Sequence, residues 1–136
     1  MTTPLAPGLI ETLGTNTTAA EAVDRLTAAI DANEKLNLIA TVDHSKGAEK
    51  AGLELTPTIE IFVGNPAVGT PLMYLNPTIA IDLPQKLLII ETETGVRVLH
   101  NDPVYLAQRH GIDPTTPQLA VQAGAIGGLA IAAAGA

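Results

Sequence analysis

The chain has 136 residues, of which 46% are hydrophobic and only 2% aromatic, and its net charge is −7. This length fits one domain, and the hydrophobic content excludes a disordered main body. The seven basic residues are scattered along the sequence. Nucleic acid is therefore not an expected partner, and the scattered charge also weighs against anionic membranes, because both require a dense basic surface.

The sequence contains no cysteine, which excludes disulfides, thiolate metal sites and a thiol nucleophile. Its first residues, Met-Thr-Thr-Pro, carry neither a basic patch nor a long apolar run, so no signal peptide is expected. These features favour a cytoplasmic location.

The N-terminal part combines loop signals with one clear helix. Prolines and glycines predict an irregular segment over residues 1–16, with room for a short strand near 9–13. Thr18 and Glu21 have the spacing of a capping box, and apolar residues at helical spacing follow as far as Asn33. A first helix is therefore predicted there.

Two alternating apolar runs follow, over residues 36–43 and 59–63, and each is typical of a strand. Residues 45–51 between them predict a short helix that stops at Gly52. A strand, a helix and a second strand favour a right-handed βαβ unit, in which the two strands run parallel.

The second half predicts a helix, a hairpin and another helix. Asn65-Pro66 and Asp102-Pro103 each place a capping side chain before a proline, as at a helix start. The apolar run 86–92, the turn 93–95 and the run 96–100 indicate paired strands. Residues 17–112 are thus expected to form a single two-layer α/β domain, with a mixed sheet of about four main strands backed by helices.

The C-terminal segment, residues 113–136, is a different kind of sequence, because residues 119–136 are uncharged and rich in glycine and alanine. We expect a helix or arm that docks on its own domain or on a second subunit. A membrane span and a frayed tail are the alternatives. Because an uncharged segment of this kind has few other ways to remove its apolar surface from water, the sequence predicts a homodimer.

Five short motifs in order resemble the bacterial and archaeal family called domain of unknown function 302, over about residues 9–112. They are Val42-Asp43-His44, Gly64-Asn65-Pro66, Gly69-Thr70-Pro71-Leu72, Asp82-Leu83-Pro84, and Asn101-Asp102-Pro103 followed by Tyr105-Leu106-Ala107 and Gly111. The resemblance implies a two-layer α/β fold that often forms a homodimer, and it implies no established reaction.

The sequence departs from the family in one place. The family usually has phenylalanine directly before Gly-Asn-Pro, whereas this chain has Val63 there and Phe62 one position earlier. On a strand, that shift moves the aromatic ring to the opposite face.

The predicted βαβ unit would bring two strand ends together as a crevice. Asp43 and His44 follow the first strand, where the pair could serve general acid/base chemistry or cap the next helix. Ser45 and Lys46 start that helix and offer N–H groups to a small anion. Asn65 at the second strand end is expected first as a cap and otherwise as a ligand contact.

Thr70 is expected to face the same crevice. Asp82 is expected either to pair with Arg97 or Lys86 or to lie across the crevice from His44. We therefore expect a homodimeric binding module for a small polar or anionic ligand or a protein partner. The alternative is an enzyme using His44 with Asp43 or Asp82 as general acid/base. No metal site and no cofactor are expected, since the sequence has no ligand spacing or dinucleotide fingerprint.

Overall fold

The computed structural model describes residues 4–136, so residues 1–3 of the predicted irregular segment lie outside it. In chain order, the elements are β1 (Leu9–Thr15), α1 (Ala19–Asp31), β2 (Asn37–Asp43), α2 (His44–Lys50), β3 (Thr58–Gly64), α3 (Pro66–Leu75), a 3₁₀ helix (Pro77–Asp82), β4 (Gln85–Glu91), β5 (Gly95–Asn101), α4 (Pro103–Arg109) and α5 (Pro117–Ala134).

The strands form one sheet in the order β1-β5-β4-β3-β2. Helices cover one face of this sheet, so the predicted two-layer α/β class is confirmed. The sheet has five strands, because the short strand expected near residues 9–13 is present as the edge strand β1. Every neighbouring pair is antiparallel rather than mixed.

The predicted parallel βαβ unit is wrong. Strands β2 and β3 pair antiparallel, with Asn37 opposite Gly64 and Asp43 opposite Ile59. The reason lies in α2, which has seven residues and buries none of them. A crossover helix has to pack on the sheet, whereas α2 sits at the end of β2 and the chain turns straight back.

The hydrophobic core between helices and sheet contains no aromatic side chain among its buried members. One cluster joins the inward stripe of α1 to β3, β4, β5 and the C-terminal half of α5. Its largest fully buried members are Leu26, Ile61, Leu87, Ile89 and Ile126. A second cluster joins α3, the 3₁₀ helix and α4 to the start of α5, around Leu72, Ile79, Ala107, Ile112 and Leu119.

The C-terminal segment forms the long helix α5, which docks on its own domain. It packs against α1, β1 and β5, and its last turn lies directly on Gly14 of β1. In the part of the chain that the structure describes, α5 is the helix whose length and composition would allow a membrane span, and 39% of it is buried in the fold. A helix in the core of a folded domain can have the same length and composition.

One arginine fixes the C-terminus of α5. The Arg25 guanidinium on α1 donates from Nη2 to the Ala133 carbonyl at 2.7 Å and from Nε to the Ala132 carbonyl at 3.3 Å. Nη2 also donates to the Thr17 hydroxyl at 2.8 Å. The last carbonyls of a helix have no partner within it, and the helix dipole there favours a cation. Arg25 therefore holds α5 against α1.

Replacing this clamp is expected to weaken the fold. Arg25→Met keeps the apolar stem but loses the charged hydrogen bonds, so the free energy of unfolding should fall by about 1–3 kcal/mol. Arg97→Met is the matched control, because the pair of Arg97 with Glu11 is solvent-accessible and is worth under about 1 kcal/mol. Urea unfolding followed by circular dichroism measures both. Equal losses for the two variants would contradict the role given to Arg25.

Candidate functional site

The two strand ends expected to share a crevice lie apart. Asp43 stands opposite Ile59, whereas Gly64 stands opposite Asn37 at the other end of the same pair of strands. Six residues of strand separate these ends, which is roughly 20 Å. The predicted common crevice is therefore wrong, and the two groups of residues belong to different places.

At the first place, Asp43 caps α2. Its carboxylate accepts hydrogen bonds from the backbone N–H of Lys46 at 3.0 Å and from the Ser45 hydroxyl at 2.5 Å. These bonds, the one from Ser45 foremost, lower the pKa of Asp43 below its ordinary value. The Ser45 oxygen in turn accepts the Thr58 N–H at 3.3 Å. Asp43 and Ser45 thus join α2 to β3.

His44 faces a carboxylate other than the expected ones. Its Nε2 lies 3.1 Å from Oε1 of Glu60 on β3, and nearly half of the His44 side chain is exposed. Asp43 is occupied by the helix cap, and Asp82 has other partners. The acid/base pair expected around His44 is therefore not assembled.

At the second place, a cavity of about 270 Å³ lies between the sheet and the helices α3 and α5. We call it the helix–sheet cavity. Most of its wall is apolar, including Leu36, Ile39, Val63, Met73, Leu83, Ile126 and Leu129. Two predicted ligand-binding residues, Asn65 and Thr70, line it, whereas Ser45 and Lys46 line a separate, shallow depression near residues 53–56.

The Asn65 side chain is available to this cavity. Asn65 occupies the N-cap position of α3, but its side chain makes no capping hydrogen bond. The first interpretation of this residue as a side-chain cap is therefore wrong.

Two glutamines, neither of which was expected from the sequence, complete the polar part of the wall. Gln85 comes from β4 and Gln122 from α5. Gln122 is only 7% exposed. No polar side-chain atom among the described residues is both sealed from solvent and without a hydrogen-bond partner. The amide of Gln122, which bonds to no residue in 4–136, therefore faces the cavity. A lone amide in the apolar run 119–136 was the signal that could have identified it.

The mouth of the cavity is apolar. Ile39 on β2 and Val121 on α5 both line it, and they are 55% and 53% exposed. The ring of Phe62 lies on the other face of the sheet, as the sequence predicts. Phe62 lies beneath Lys86, whose Nζ is 5.7 Å from the ring centroid, and Val63 takes the place on the cavity wall.

Asp82 belongs to a compact array at the end of α4. Its carboxylate lies 2.6 Å from Nε2 of His110 and accepts from Arg109 at 3.0 Å. The side chains of His110 and Asp82 are only 8% and 13% exposed. Asp82 thus pairs with basic residues rather than lying across a crevice from His44. Its partners are Arg109 and His110, not the expected Arg97 or Lys86.

The array continues to a hydroxyl group. Nδ1 of His110 lies 2.8 Å from the Thr78 hydroxyl, which in turn lies 2.9 Å from Oδ1 of Asn76. The array fixes the 3₁₀ helix to α4, next to Leu83 of the cavity wall.

No group of three or more histidine and carboxylate side chains converges as a metal site within residues 4–136.

Comparison with known proteins gives one family. A family model described as "Domain of unknown function DUF302" matches residues 11–126. A crystal structure of an uncharacterized conserved DUF302 protein from Bacillus stearothermophilus superposes with a TM-score of 0.80 at 18% identity, over 94% of this chain and 99% of that chain. This likeness shows the fold alone.

Curated relatives are larger proteins. The chain is 42% identical over 106 residues, 77% of its length, to proteins named "Fluoride-specific ion channel FluC 1" of Brucella suis and "Fluoride-specific ion channel FluC 2" of Brucella melitensis. The match covers 41% and 38% of those proteins, so the chain spans about two fifths of their length.

The Asp82 array is expected to stabilise the fold. Asp82→Asn keeps the shape but removes the charge facing His110 and Arg109, so the free energy of unfolding should fall by about 1–3 kcal/mol. Asp24→Asn, at an exposed position of α1, is the matched control and should change it by under about 0.5 kcal/mol. Chemical denaturation at pH 7 compares the two, and an unchanged Asp82→Asn variant would contradict this assignment.

Proposed function

The chain belongs to the DUF302 family, and for it we propose a binding function: it is a module that holds a small molecule in the helix–sheet cavity. The observation that carries this proposal is the cavity itself. It is concave, mostly apolar and lined by a few polar side chains, which is the usual make-up of a small-molecule site.

The way the cavity is built also supports binding. Its wall comes from β2, β3 and β4 on one side and from α3 and α5 on the other. Gly64 and Gly69 keep part of this wall free of side-chain bulk. Structural packing alone would favour filling such a space, since every unfilled methyl-sized volume costs stability.

A cavity-filling substitution tests the proposal. Ala125→Leu adds three carbon atoms to the cavity wall. Indole at millimolar concentration should raise the melting temperature of the wild type, because a ligand that binds the native state stabilises it by mass action. The variant should lose this response. Ligand-observed NMR provides an independent measure of binding.

Ala120→Leu is the matched control, on an exposed position of the same helix, and it should respond like the wild type. Absence of binding of both indole and benzamide to the wild type, by both methods, would contradict the proposal.

The named relatives provide a second candidate, a module that serves a fluoride channel. The observation that favours it is the 42% identity over 77% of this chain. The cavity wall offers no cation to an anion such as fluoride, so we place this candidate second. Sodium fluoride that raised the melting temperature beyond equal sodium chloride would reverse that order.

We also propose that the module is a homodimer, joined through β2. This strand is a free edge of the sheet, and residues 37–42 are uncharged and exposed along their whole length. Leu38, Ile39 and Val42 are among the exposed large apolar side chains. A long, uncharged, apolar edge strand is a template for pairing with a second strand, and two identical edges pair antiparallel about a two-fold axis.

A charge on this edge is expected to separate the subunits. Wild-type protein should sediment at twice its 14.0 kDa chain mass. Val42→Lys should sediment as a monomer, because a lysine on an edge strand opposes its pairing with a second strand. Thr12→Lys on the opposite edge strand β1 is the control and should leave the mass unchanged. A wild type that stays monomeric at its highest soluble concentration would contradict the proposal.

A further inference from the structure

The chemistry of the helix–sheet cavity defines its ligand more closely than its shape does. From it we infer that the ligand is an uncharged molecule with a largely apolar body and one amide-like group that both donates and accepts hydrogen bonds. This inference rests on the proposed function, since it names the ligand class of the same cavity.

The absence of charge from the wall excludes an ionised ligand. Within the described part of the chain, none of the residues that line the cavity has an ionisable side chain. A carboxylate or ammonium group moved into such a place loses its hydration and gains no counter-charge. The anionic ligand considered from the sequence therefore does not suit this cavity.

The polar part of the wall calls for a particular partner. Gln122 is more than nine-tenths buried, and its amide bonds to no described residue. A primary amide has two donor hydrogens and an acceptor oxygen. Asn65 offers the same pair of functions from the start of α3. A ligand group with both a donor and an acceptor satisfies an amide fully, whereas a carbonyl or ether alone leaves its oxygen unpaired.

The size of the ligand follows from the volume. An apolar cavity of about 150 Å³ accommodates benzene, so the 270 Å³ here accommodates a molecule of one to two rings or a short branched chain. Ile39 and Val121 at the mouth give such a body an apolar path inward.

Two isosteric probes test the inference. Benzamide and benzoate share a ring and a planar head, but at neutral pH only benzoate is charged. Titration followed by NMR and by thermal shift should show benzamide binding to the wild type, with benzoate weaker by about tenfold or more, because the wall cannot pair its charge.

Gln122→Leu separates the head-group contact from the apolar one. It should weaken benzamide by about tenfold and weaken indole by less, because the indole N–H can only donate and so makes at most one bond to the amide. Gln118→Leu, on the same helix but outside the cavity wall, is the matched control and should bind both probes as the wild type does.

The outcomes distinguish this inference from the proposed function. If indole binds while benzoate equals benzamide, or if Gln122→Leu binds benzamide undiminished, the ligand class is overturned and the binding function stands. If neither indole nor benzamide binds the wild type, both are overturned.

Discussion

The packing of α5 against the sheet is the constraint on which the rest of the structure depends. This helix contributes Leu129 and Ala133 to one core cluster and Leu119 to the other. Between these contacts it supplies Gln122 and Ile126 to the cavity wall. Removing α5 would therefore expose both clusters and open the cavity at the same time. The Arg25 clamp acts on the end of the one element that all three share.

Charge and apolar surface are kept apart in this fold. The polar contacts that His44, Arg97 and Asp82 make with their partners involve no residue of the cavity wall. They hold secondary-structure elements together at three separate places. The cavity is left to uncharged amide groups and aliphatic side chains, which is the combination that selects by shape and hydrogen bonding. The net charge of −7 therefore indicates nothing about the ligand.

The local features of this fold could be predicted from the sequence, because they depend on neighbouring residues. The capping box of Thr18 and Glu21, the hairpin after Glu91 and the proline-started helices all follow from short-range sterics and hydrogen bonds. The direction of β3 relative to β2 could not be predicted in this way. It depends on whether α2 packs on the sheet, and seven residues with an uneven polar pattern do not determine that.

For the same reason, only part of the candidate site could be predicted from the sequence. Asn65 and Thr70 stand in a motif and were found, whereas Gln122 joins them only through the docking of a helix from the other end of the chain. His110 reaches Asp82 across two elements in the same way. Polar residues that meet through tertiary contacts leave a trace in sequence only when they interrupt an apolar pattern, as Gln122 does.

The position of β1 at one edge has a consequence for how the chain reaches its folded state. Its ladder partner is β5, so that Leu9 pairs with Asn101 and Thr15 with Gly95. Sequence-distant pairing of this kind carries a large loop-closure entropy and slows folding. During synthesis, the first strand emerges long before its partner and then has to await β5. The sheet is therefore complete only when β5, its last strand in chain order, pairs with β1, its first.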